Sequence, residues 1–506
     1  MSQSDVRIAV IGLDALNYIY LDRMLKSGEV PTLTHMYFSE NMTKFVIDAF
    51  LPYTMPSWTS IMTGVRPDKH GIFSFIDMSR KDWSQRISTA LHLEHPRIHG
   101  MLAMSGVESV MINPIPWFPI IPVRKAYIIS HDFLTPRTFC YPPSLQKYVK
   151  DMYLPKSVSN IDEHIMLIDS YDSLIDEIIH LNNWRLFWIT LRVPDSYLHL
   201  FPNLLITKDI RMFERKIFRT INRIMRKLYM LFDVIIIVSD HGFSLYDKVF
   251  SINDFLYKLG LTKASLNMKS SAKGVMELVR DVNVSHNKYM FLKLNSIIQS
   301  NLVAIVKKIP VIRYILRNIF RRLKIRVDLP IDIKSSIAFA SGEPYGIFVK
   351  KPTLINKIIA LLNREECIEW ARRREEIFKG RFANRAPDII IKPAFDKGCI
   401  TDASTISGEI LKKLPTPKGS HHPYGVFMIY NKSISDLDIK SLVNMSFISK
   451  LGGKVPPYIV TPLIMRVLNI PLPHDTDAKI YLNMKNLKLF NYNVRWAILK
   501  RLYIHK

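Results

Sequence analysis

Four short runs of β-branched and other apolar residues punctuate the chain: RIAVIGLDA from Arg7, SVMIN from Ser109, LFWITLRVPD from Leu186 and DVIIIVSDHGF from Asp233. Runs this short, with no polar alternation, predict strands covered on both faces. Between them, 171–181 and the strongly basic 209–231 carry helix-period patterns. Strands alternating with helices predict an α/β fold, a three-layer α/β/α sandwich around a central, mostly parallel sheet. Ligands of such sheets gather just beyond the carboxyl ends of the strands. Asp14, Asp195, Asp240 and His241 stand at those ends.

The rhythm breaks over 263–335, where IPVIRYILRNIFRRLKIRV alternates apolar and basic residues. This stretch reads as a basic, largely helical insertion, a cap or peripheral module between a first part of the core (1–262) and a second part (336–482). SSIAFASGEPYGIFVKKP, APDIIIKP and GVFMIYNK supply further short strands in the second part, and 483–506 reads as a basic, aromatic tail. The most apolar candidate for a membrane span, 302–320, is interrupted by Lys307, Lys308, Arg313 and Arg317 and does not qualify. The N-terminus lacks the basic head and cleavage pattern of a secretory signal.

Charge changes the picture. With 70 Lys and Arg against 44 Asp and Glu, the chain of 506 residues carries +26, which points to anionic company: phosphate esters, nucleic acid or an anionic membrane surface reached through the insertion. A general compositional bias would give the same number. Cys140, Cys367 and Cys399 form no CxxC pair, so neither a disulfide framework nor a thiolate zinc site is expected, and a cytoplasmic location with peripheral membrane attachment is.

The candidate chemistry starts from these strand ends. A lone Asp there is ordinarily a helix cap or turn former. Asp195 and His199, four apart, share one face of a helical turn and could share a cation; a surface pair would look the same. Asp240-His241-Gly242 directly follows a buried strand, where two costly polar groups need a compensating partner such as a metal ion. In LPYTMPSWTSIMTGVRPDKHGIFSF (51–75), Thr54 leads into a helix-like run. A hydroxyl at a helix N-terminus caps it, and the same geometry aims the positive end of the helix at an anion.

The ordered set GLDA, YTMPSWTSIMTGVRPDKHGI, PDSYLH, SDHGF and GSHHPYG, followed by YIVTPLIMRVLNIPLPHDTDA, resembles the type I phosphodiesterase and nucleotide pyrophosphatase branch of the alkaline phosphatase superfamily. The resemblance implies that Asp195, His199 and His421 hold one divalent metal ion and that Asp14, Asp240 and His241 hold the other, with Thr54 as nucleophile and a further metal-contacting residue at the second. The ions would be zinc, with manganese as the alternative. The substrate would be a small phosphate ester, a phosphodiester or nucleotide pyrophosphate, cleaved through a phospho-threonine intermediate. Ser57 occupies a position where nucleotide-cleaving relatives carry a phosphate-contacting Asn, so it is a substrate-binding candidate and a departure from the pattern. His70 is expected to be structural and His422 not a ligand. Threonine cannot form the aldehyde of sulfatases. A phosphomonoesterase or phosphomutase of the same superfamily is the alternative. A catalytically silent basic protein, binding membrane or nucleic acid through 307–326 and 485–506, is a third reading.

Overall fold

A computed structural model describes residues 6–131, 138–150, 152–153, 160–265, 329–341, 345–432, 437–483, 485 and 487–504. Most of the basic insertion, including 302–320, lies outside the described residues.

A nine-stranded sheet runs through the centre, in the order Lys454–Val455, Met42–Asp48, Tyr424–Asn431, Val234–Val238, Ile8–Leu13, Leu186–Leu191, Ser109–Ile112, Ala126–His131, Thr138–Tyr141. Only Tyr424–Asn431 and the edge strand Thr138–Tyr141 run against the rest. The four apolar runs form the middle of this sheet, and their side chains divide between two cores as strand geometry requires. Ile8 and Val10 face one core with the helices Thr54–Thr63, Ile98–Met104 and Val460–Val467. Ala9, Ile11 and Leu13 face the other, with Tyr18–Lys26, Ile161–Ile178 and Met212–Leu231. The α/β/α sandwich is therefore observed. The helix expected over 171–181 begins earlier because the Asn160 side chain accepts from the Asp162 amide and caps it.

Two strands arise from sequence that does not look like strand. Met42–Asp48 has only intermittent burial, and Leu411–His422 contains two prolines, three lysines and two histidines and little apolar content. Leu411–His422 forms because it pairs antiparallel with Gly242–Ser251, the long strand that continues directly from His241. The other edge of Gly242–Ser251 pairs with Cys399–Asp402. A smaller four-stranded sheet, Ala338–Phe339, Gly346–Val349, Ile389–Pro393 and Ile368–Arg373, packs with the helix Ile355–Leu362 around its own apolar cluster.

Residues 263–265 and 330–332 lie side by side, with Ala264 bridged to Ile331 and the Ser265 amide donating to the Pro330 carbonyl. The chain thus leaves for the insertion and returns from it at one place. The stretch expected as a tail is folded: helix Tyr492–Ile504 buries Tyr492 and Trp496 in the first core.

The cysteines correct one expectation. Cys367 and Cys399 are joined in a buried disulfide, Cα–Cα 5.3 Å, that ties the smaller sheet to the strand beside Gly242–Ser251. With this pair bonded, the cysteines give no ground for a reducing compartment. Spacing alone could not show this pairing, because 32 residues separate the two. A loop of that length makes the bridge worth about 3–4 kcal/mol on the chain-entropy model. Thiol titration of the denatured, unreduced protein should find only Cys140, and Cys367→Ser should lower denaturant stability by roughly that amount. Three titratable thiols, or an unchanged unfolding midpoint, would contradict the bridge.

Candidate metal-dependent active site

Three strand ends meet at one point because their register is in phase. Leu13 pairs with Leu191 and Gly12 with Val238, so Asp14, Asp195 and Asp240 emerge together. The Asp195 amide donates to the Asp14 carbonyl (3.0 Å), fixing that meeting. Asp195 opens a single helical turn, and the His199 amide donates back to its carbonyl, which stacks the two side chains as their spacing predicts. His421 arrives from across the sheet, since Phe243↔His421 is a register pair of the two long strands. Gly242 permits this: a Cβ there would lie 2.0 Å from the Tyr424 carbonyl oxygen.

The side chains assemble into two triads whose ligand atoms lie within 4.8 Å of one another: Asp195, His199 and His421, and Asp14, Asp240 and His241. In the first, Asp195 Oδ1 is 3.2 Å from His199 Nε2 and 3.3 Å from His421 Nε2, and the two imidazole nitrogens are 3.1 Å apart. In the second, His241 Nε2 is 3.2 Å from Asp240 Oδ2 and 3.8 Å from Asp14 Oδ1. The His241 and His421 rings stack at 4.1 Å, which makes the triads neighbours. Thr54 Oγ1 lies 3.4 Å from His241 Nε2.

Comparison with known proteins fits this arrangement. A family model described as type I phosphodiesterase / nucleotide pyrophosphatase matches residues 8–318. The chain belongs to the type I phosphodiesterase / nucleotide pyrophosphatase family. Its class is thereby phosphoester hydrolase. Phosphonoacetate hydrolase from Sinorhizobium meliloti 1021, in complex with phosphonoformate, superimposes with a TM-score of 0.58 at 13% identity, covering 92% of this chain and 96% of that one. Murine ectonucleotide pyrophosphatase / phosphodiesterase 5, as an inactive variant in complex with AMP, gives 0.52 at 12%, covering 94% and 100%. Wild-type alkaline phosphatase PafA gives 0.53 at 11%, covering 96% and 100%. At these identities the likeness establishes a shared alkaline phosphatase-like fold. No curated protein sequence matches the chain.

In this member of the phosphodiesterase family, the donors fit divalent cations on grounds internal to the structure. Asp14 Oδ1, Asp195 Oδ1 and Asp240 Oδ2 are buried and accept no hydrogen bond. His241 Nδ1 donates to the Gly242 carbonyl (2.9 Å) and His421 Nδ1 to the Pro52 carbonyl (3.0 Å). Carbonyl acceptors hold the proton on Nδ1, so each Nε2 turns a lone pair inward, toward carboxylate oxygens that also bring only lone pairs. Such a cluster calls for positive charge.

The electrostatics agree. Burial, and then the nearby Asp195 charge, push the Asp14 carboxyl up to about 7. Burial and Asp14 push Asp240 well above the usual carboxylate range. Burial also opposes ionisation of Asp195, but His199 and His421 outweigh it and hold that carboxyl well below its ordinary value. His241 is driven well below the ordinary imidazole value by burial and by His421. Three carboxylates cannot all ionise here without a counter-charge, which two divalent ions would bring.

The remaining residues fall out as follows. Thr54 is not a cap: Tyr53 is the N-cap of Thr54–Thr63 and no side-chain cap bond forms, so the threonine hydroxyl is turned toward His241. Ser57 donates its hydroxyl to the Leu51 carbonyl (3.0 Å) and lines a cleft of 740 Å³ between the core and the smaller sheet. His70, held far below its ordinary value by burial, bonds Ser60 Oγ and the Ile72 amide, a structural place. His422 accepts from the Tyr424 amide and joins neither triad. Sequence reasoning passed over Trp58, whose indole N–H donates to Asp14 Oδ2 (3.2 Å) and steers the carboxylate. Gly12 makes room for that ring, since a Cβ would come within 2.6 Å of it. The TMPSW and GLDA motifs contain both residues, and only the fold shows that they touch.

Removing one of the buried charges should separate stability from metal binding. Asp14→Asn should raise the stability of the metal-free protein by about 1–3 kcal/mol, by relieving carboxylate repulsion, and should shrink the added stability that zinc confers on the wild type. Equal zinc-dependent shifts in melting temperature for both proteins would contradict the assignment of Asp14 as a ligand.

Proposed function

We propose that the protein hydrolyses phosphodiesters or nucleotide pyrophosphate bonds with Thr54 as nucleophile, at two zinc ions held by Asp195, His199 and His421 and by Asp14, Asp240 and His241. The observation that carries this reading is the 3.4 Å separation of Thr54 Oγ1 from His241 Nε2, which puts the hydroxyl beside the inward lone pair of one triad. Family membership and the murine relative's complex with AMP support a phosphate-ester substrate.

The chain's own groups do most of the positioning. Thr54 is buried at the first turn of its helix, so its oxygen meets phosphorus with little competing water and with the positive helix end behind the phosphoryl oxygens. Its oxygen forms the new P–O bond as the bond to the leaving oxygen breaks. A water molecule then displaces the Thr54 oxygen from phosphorus and restores the free hydroxyl. Bound divalent cations would supply what the side chains lack, a lowered alcohol pKa and compensation of charge developing on the phosphoryl group. Trp58 and the Nδ1–H bonds of His241 and His421 hold the ligand atoms in place for this.

One observation favours the monoesterase alternative: Ser57 spends its hydroxyl proton on Leu51 rather than presenting it to a second phosphate substituent. Bis-p-nitrophenyl phosphate and p-nitrophenyl phosphate, assayed in parallel with zinc, separate the two. A diester preference is expected, and a clear monoester preference would select the alternative. Thr54→Ala should lower kcat by about 10³-fold or more while leaving zinc content unchanged, and wild-type protein quenched with substrate should carry phosphate on Thr54. Full activity in Thr54→Ala would overturn the mechanism.

A further inference from the structure

The C-terminal helix Tyr492–Ile504 has two apolar faces. Its inner face is anchored: Tyr492 and Trp496 are buried, the Tyr492 hydroxyl donates to the Pro471 carbonyl (2.8 Å), and Lys500 Nζ donates to the Leu93 carbonyl and reaches Glu94. Its outer face repeats at i, i+4 and i+8 with Val494, Ile498 and Leu502, which are 60, 55 and 60% exposed. An ordinary surface helix turns polar residues to water opposite its buried stripe. Here the water-facing side carries an aliphatic stripe instead, flanked by exposed Arg495 and Arg501.

The charge of this region is one-sided. Between Asp477 and Lys506 there is no Asp or Glu, whereas Lys479, Lys485, Lys488, Arg495, Lys500 and Arg501 stand there. Glu94 neutralises Lys500 on the inner side and leaves the outer arginines without an acidic partner from their own segment.

The geometry points to an anionic lipid bilayer as the partner of this outer face, with Val494, Ile498 and Leu502 entering the headgroup boundary and Arg495 and Arg501 meeting lipid phosphates. Aliphatic side chains in a row flanked by arginine are how an interfacial helix divides its work between burial and charge. Nucleic acid would use the cations and have no use for the stripe. A second copy of the chain would bring its own acid-free segment against this one, and like charges repel. Because the inner face is fixed to the core, the stripe is presented ready-made, without a folding cost on binding.

Co-sedimentation of the full chain with phosphatidylcholine vesicles, with and without an equal share of phosphatidylglycerol, tests this. The wild type should pellet with the anionic vesicles and release at high salt. Val494→Ser/Ile498→Ser/Leu502→Ser should weaken that binding by at least about tenfold, and Arg495→Gln/Arg501→Gln should flatten its salt dependence. Both variants keep the insertion, so its contribution cancels in the comparison. An unchanged melting temperature and unchanged hydrolysis of a soluble aryl phosphate would show that the exposed substitutions leave the fold and the active site intact. Equal pelleting of the triple serine variant would overturn the proposal. So would equal wild-type binding to neutral vesicles, or a wild-type dimer or DNA complex that the triple variant loses in place of vesicle binding.

Discussion

Three buried carboxylates, each with one oxygen that accepts no hydrogen bond, are the constraint around which this protein is built. Asp14, Asp195 and Asp240 are delivered to one point by three adjacent parallel strands, and each leaves one oxygen without a hydrogen bond. Such a grouping destabilises a fold unless cations join it. His241 and His421 cannot relieve it as neutral donors, because their Nδ1 protons are committed to backbone carbonyls on their far sides. On the function proposed above, the scaffold would stabilise a metal-loaded state, with the sandwich around it holding the two triads in register.

The three strands Cys399–Asp402, Gly242–Ser251 and Leu411–His422 form a sheet of their own that contributes more than bulk. Gly242–Ser251 leaves the central sheet immediately after His241 and is paired on both edges, by Leu411–His422, which returns His421, and by Cys399–Asp402, which the disulfide fastens. The two triads are thus coupled through a single strand: His241 precedes it, and His421 sits opposite Phe243 near its start.

The central sheet was legible because its strands are buried on both faces and so appear as unbroken apolar runs. Asp240 and His241 were legible by the same physics, as polar groups at the end of such a run. His421 was not: its strand is rich in lysine and contains proline, and it exists only through pairing with a segment far away in sequence, so motif resemblance alone pointed to it. The Thr54 hydroxyl looked like a cap, and the fold instead makes Tyr53 the cap. Trp58 against Asp14 and Cys367 against Cys399 are contacts of tertiary structure, which neither periodicity nor spacing can carry.

Two cations are proposed to complete this cluster. The most direct measurement is anomalous diffraction from crystals of the protein grown with zinc. Two peaks are expected, one bounded by Asp195, His199 and His421 and the other by Asp14, Asp240 and His241. A single peak, or peaks only at surface histidines, would contradict it.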